Sequence, residues 1–156
     1  MHVLNCRWLV IIFVFYTLNG SLLMAKESGN LGAGVILGDP TGPTLKFWLH
    51  PNTAINVGLG FTKDSLVYGD LLFHGWNVFS KPQKGKLAGY LGLGFRFEEK
   101  KKDDNYGLRT VAGIAYWFEN YPVEIFLELV PVFQITPDIN TGFDSGFGLR
   151  YYFASF

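Results

Sequence analysis

The sequence is poor in cysteine, in charge and in long hydrophobic runs. It has one cysteine, Cys6, and its charged residues make up 17% of the 156, with no formal net charge. Soluble domains usually carry roughly 25% charged residues. The charge balance and the lack of a basic patch interleaved with aromatics give no reason to expect a nucleic-acid partner. One apolar run stands out, Trp8 to Leu18. It is shorter than the ~20 residues that carry a helix across a bilayer. No later stretch is apolar for long enough to do so. If the rest of the chain enters a membrane, it must enter as strands.

The N-terminal run reads as an export leader. MHVLNCR is a weakly positive start, Trp8–Leu18 the apolar core, and NGSLLMA leads to a cut after Ala25. The competing reading is a retained membrane helix. We therefore expect residues 1–25 to be a signal peptide and residues 26–156 to be one domain. Cleavage removes Cys6, so the mature chain would have no disulfide, no thiol nucleophile and no cysteine metal site. It also removes Arg7 from 13 Lys plus Arg, against 13 Asp plus Glu, leaving a formal charge of −1.

Glycine and aromatics are abundant, with 19 glycines and 17% Phe, Trp and Tyr. They are arranged with period two almost throughout. Eight runs read as strands: Leu31–Gly38, Thr44–His50, Thr53–Thr62, Leu66–Trp76, Leu87–Phe97, Tyr106–Phe118, Val123–Phe133 and Phe143–Phe153. Pro, Gly, Asn and Asp cluster between them, as turns require.

Alternate positions separate sharply. One face carries large apolar side chains, for example Leu91, Leu93, Phe95 and Phe97, and no charge in any run. The other carries Lys46, Arg96, Arg109 and Arg150 with Asp70, Glu124, Glu128 and Asp144, among glycines, tyrosines and His74. A soluble barrel buries the apolar face; a membrane barrel turns it to lipid. Eight stripes of bulky residues would overfill a small barrel. Glycines alternating with long polar chains suit a narrow lumen. Runs of about ten residues match a tilted membrane strand, and only a closed barrel satisfies every backbone group in lipid. The expected fold is all-β: an eight-stranded antiparallel up-and-down transmembrane β-barrel after a cleavable signal peptide.

The last run, GFGLRYYF, has Phe147, Leu149, Tyr151 and Phe153 on alternate positions. It looks like the C-terminal strand recognised by the outer-membrane assembly machinery, although Ala154, Ser155 and Phe156 follow it. The segments GVILGDPTGPTLKFWL, AINVGLGF, LVYGDLLFHGW, YLGLGFRF, PVEIFLELVPVF and FDSGFGLRYYF resemble a family of small outer-membrane-like β-barrels of unassigned function, known from spirochaetes and other bacteria. That resemblance implies an outer-membrane barrel, with outer-membrane lipid and the assembly machinery as partners. It brings no activity and no catalytic residues.

Other motifs yield to plainer readings. The Gly-x-Gly runs lack the third glycine and following helix of a dinucleotide fingerprint. GLGF occurs twice inside long alternating runs, unlike a carboxylate-binding loop. Asp70 and His74 lie roughly 13 Å apart along one strand, too far for direct contact. His50 and His74 have no clear third ligand, so no metal or cofactor is expected. The serines are scattered and none lies two residues from a histidine, so no catalytic group is assigned. The eight inward charges, four of each sign, read as a paired lumen network with His74 beside it. EEKKKDD, Glu98–Asp104, reads as a solvated loop. For Trp48, Trp76 and Trp117 two placements fit: a lumen cap or an interfacial girdle. Pro131 requires a bulge or a strand end. The expected role is an integral outer-membrane barrel with a filled lumen, structural or interactive and not a general porin. The alternatives are a lipid-modifying outer-membrane enzyme and a soluble periplasmic small-ligand barrel.

Overall fold

The computed structural model describes residues 31–61 and 64–153. The expected signal peptide, Thr62 and the last three residues lie outside them. Eight strands follow in order: β1 (Leu31–Asp39), β2 (Gly42–His50), β3 (Thr53–Gly60), β4 (Ser65–Gly75), β5 (Lys86–Glu99), β6 (Asn105–Trp117), β7 (Val123–Thr136) and β8 (Asn140–Tyr152). Each pairs antiparallel with the next, and β1 pairs with β8, from Gly32 opposite Tyr152 to Asp39 opposite Ser145. The sheet is therefore closed and has no free edge.

Backbone pairing between neighbouring strands explains why strand ends extend beyond the apolar alternation. β7 runs three residues past Phe133, and β8 starts three before Phe143, because Gln134 still pairs with Asn140. Polar side chains suffice there, since the ladder is held by backbone groups. β5 likewise continues to Glu99, which pairs with Ser65 of β4. Glu98 and Glu99 thus belong to a strand, which corrects the reading of Glu98–Asp104 as wholly loop.

Pro131 produces neither a strand end nor a bulge of β7. It pairs with Phe143 of β8, while the β6 ladder skips the positions between Arg109–Val132 and Ala112–Leu129. The missing N–H is accommodated on the β6 side, where Thr110 Oγ1 donates to the Pro131 carbonyl at 3.3 Å. The register shift in this pair of strands falls instead at Tyr106/Gly107.

The faces are unambiguous. Leu91, Leu93 and Phe95 are 68%, 65% and 70% exposed, whereas the charged side chains between the barrel walls are buried. An apolar belt therefore surrounds the outside. At about 3.3 Å per residue and a tilt of about 40°, the stripe from Leu87 to Phe97 rises roughly 25 Å, the height of a bilayer's apolar band. The inside is not purely polar. Ile36, Leu72, Val111, Phe126, Val130 and Val132 share it with the charges, and the alternation alone did not bring them forward.

Candidate functional site

The lumen is built in tiers. At the end where β1 begins and β8 ends, inward positions near the ends of β2, β4 and β6 carry Trp48, His74 and Trp117, and Trp76 follows β4 directly. The rings of Trp76 and Trp117 lie 4.9 Å apart, those of Trp48 and Trp117 6.0 Å, and His74 stands 4.4 Å from Trp48. Trp76 Nε1 donates to the Pro51 carbonyl at 2.9 Å, which pins the indole over the mouth. The tryptophans therefore cap the lumen; they are not an outer girdle.

Beneath the cap, Lys46 sits among aromatic rings, with Nζ 4.8 Å from the Trp48 centroid, 5.2 Å from Tyr90 and 5.1 Å from Trp117. It donates to Glu124 Oε1 at 3.0 Å and lies 2.9 Å from His74 Nε2. Arg150 donates to the same Glu124 oxygen at 2.9 Å, and Tyr152 donates its hydroxyl to the other oxygen. Arg150 also reaches Asn56 Oδ1 at 3.0 Å and Thr44 Oγ1 at 3.2 Å. Glu128 accepts from Tyr90 at 2.8 Å and stands 3.9 Å from Arg150. Arg109 Nε lies 3.0 Å from Asp70 Oδ1, an oblique ionic contact, with the guanidinium 4.1 Å from the Tyr68 ring centre. The side chains of Lys46, Arg109, Arg150, Asp70, Glu124 and Glu128 are fully buried in ion pairs, three cations against three anions. A buried charge is far less costly when an opposite charge stands beside it, and here each carboxylate has a cation within 4 Å.

Glycines make this filling possible. A side chain at Gly94 would run into Asp70, at Gly58 into Tyr68, at Gly113 into Tyr90, and at Gly148 into Phe126. The Gly-x-Gly runs are thus sites where a strand wall thins to admit a long side chain from the next strand.

At the opposite end the lumen opens into a polar vestibule. Arg96 bonds Asp144 at 2.7 Å and Glu98 at 3.2 Å, and Asn105 donates to Glu98 at 3.2 Å. A cavity of about 360 Å³ lies above them, lined also by Gln134 and Asn140. The alternation puts Asn56, Tyr90 and Tyr152 on the inward face; Glu98, Asn105 and Thr44 are not singled out by it, although they share the inward parity of Arg96, Arg109 and Lys46. His50 is exposed at the last position of β2, where it pairs with Thr53 of β3. Phe147, Leu149 and Tyr151 face outward on β8, with Phe153 exposed just beyond it. Among the described residues, no cluster of three or more His, Cys, Asp or Glu is arranged to hold a metal.

These features define an all-β, closed eight-stranded antiparallel barrel with an apolar exterior and an ion-paired interior. Among solved structures, the N-terminal β-barrel domain of Pseudomonas aeruginosa OprF is similar, with a TM-score of 0.54 and 16% identity, covering 80% of this chain and 96% of that one. At that identity the likeness concerns the fold. No protein-family model and no curated protein matches the sequence.

Proposed function

We propose that the chain is an integral outer-membrane β-barrel with a filled lumen, exported by its N-terminal leader, in a structural or interaction role. Membership of the family of small outer-membrane-like barrels that it resembles in sequence is part of this reading. The observation that carries it is the pairing of an outward apolar belt with an inward ion network. That arrangement is the reverse of a soluble ligand-binding barrel, whose inner face is apolar and whose outer face is polar. It supports a membrane location, because so large an apolar surface is costly in water.

The lumen supports a role other than general diffusion. Lys46, Arg109, Arg150, Asp70, Glu124 and Glu128 occupy its middle, and the tryptophans lie across one end. We assign no catalytic activity; the lumen histidine, His74, shares its Nε2 with Lys46 rather than with a serine. The interaction role fits the vestibule, whose charged and amide lining suits a small polar ligand.

Planar-bilayer recording of the purified, refolded protein tests the reading. We expect brief or negligible conductance; large, steady open channels would overturn it. Cell fractionation tests location: detergent extraction and heat-modifiable gel migration are expected, and release by osmotic shock alone would refute a membrane barrel.

A further inference from the structure

The connection between β4 and β5, residues 76–85, is the longest in the barrel and carries a basic cluster. Trp76 turns inward to the cap, but the next residues fold back over the outer wall. Gly75 and Gly89 are paired across β4 and β5 at outward positions. A Cβ on Gly75 would stand 2.6 Å from Val78, and one on Gly89 3.1 Å from Phe79, so Val78 and Phe79 lie on this glycine pair. Tyr116 of β6 donates its hydroxyl to the Lys84 carbonyl at 3.0 Å, fixing the end of the connection against the wall. Gly85 then turns the chain with a φ of +73°, where a side chain would be strained.

This fixed segment is amphipathic. Val78 is 65% exposed and Phe79 41%, and they continue the lipid-facing belt with Tyr116 and Phe118, whose rings meet edge-on at 5.1 Å. Lys81, Lys84 and Lys86 follow, all exposed, and no acidic residue occurs between Asp70 and Glu98. Glu119 is the one acid in the neighbouring connections at this end. The opposite end is acidic among the described residues, with Asp39, Asp64, Glu98, Glu99, Asp103, Asp104 and Asp138 against Lys100–Lys102.

We propose that this wall segment is a headgroup site for an anionic glycerophospholipid at the membrane–water boundary. Val78, Phe79 and the Tyr116–Phe118 pair meet the glycerol and upper acyl chains, and Lys81 and Lys84 meet the phosphate. The charge asymmetry then orients the barrel, with the end where β1 begins and β8 ends in the phospholipid leaflet. The proposal rests on the outer-membrane reading above. Each lysine near an anionic surface favours it by about fivefold, so losing two should weaken selection roughly 25-fold.

The full chain is refolded in phosphatidylcholine and titrated with phosphatidylglycerol, with lipid retention read by native mass spectrometry. Wild type should retain phosphatidylglycerol in preference to phosphatidylcholine, more weakly at high salt. Lys81→Gln with Lys84→Gln should lose about 25-fold of that preference. Lys101→Gln with Lys102→Gln, at the far end, should keep it. Equal retention of both lipids by wild type, or an unchanged preference in the first double variant, would each overturn the site. Heat-modifiable migration separates the two readings. A folded barrel without lipid preference sinks this proposal alone, whereas a chain that never inserts sinks the membrane reading with it.

Discussion

Glu124 is the residue on which the lumen's charge balance turns. It meets Lys46 at 3.0 Å and Arg150 at 2.9 Å with no solvent exposure. Replacing it by Gln leaves three buried cations facing two anions. Glu124→Gln should therefore cost about 3–5 kcal/mol, the usual penalty for breaking a buried ion pair on one side. Urea unfolding of the refolded barrel in vesicles measures this. Adding Lys46→Met should recover part of the loss by restoring balance; no recovery would mean the pairing is not what stabilises the lumen. A second residue-scale test concerns space. Gly113→Val would push Tyr90, which holds Glu128 at 2.8 Å, and should cost about 1–3 kcal/mol by overpacking. Gly69→Ala, whose nearest neighbour would be Val57 at 3.7 Å, should be close to neutral in the same assay.

Strand β5 shows what an element contributes. Lys86–Glu99 puts Leu87, Leu91, Leu93, Phe95 and Phe97 on one face and Tyr90, Gly92, Gly94 and Arg96 on the other. Leu93 lies near its middle and is 65% exposed. In water, an exposed leucine is replaced almost without cost. In a bilayer, Leu93→Arg should cost about 2–4 kcal/mol, the depth-dependent penalty for a cation at the midplane. Folding free energies in vesicles decide the matter, and a neutral result would mean that this face does not meet lipid. β7 shows the limit of element-level reasoning. A proline within a run argues against a central strand, yet Pro131 sits inside β7 because only its β6 side loses pairing. Which neighbour faces the missing donor depends on register, which no single strand contains.

At the scale of the molecule, closure makes the separate stripes into a belt and the separate charges into pairs. Lys46 and Glu124 are 78 residues apart, and Arg150 and Thr44 are 106 apart, yet both contacts lie within the lumen. The sequence by itself determined the strand number and the division of residues between two faces, because a strand's side chains alternate with period two whatever its neighbours do. It also marked the eight charges as inward, since all fell opposite the apolar stripe. It could not choose the partners among those charges, or decide between a tryptophan cap and a girdle, because both depend on which side chains meet across the lumen. The tertiary structure decided these. The β1–β8 ladder sets the stagger of the strands, and the stagger brings Glu124 between Lys46 and Arg150, Arg96 to Asp144, and Trp48, Trp76 and Trp117 over the same mouth.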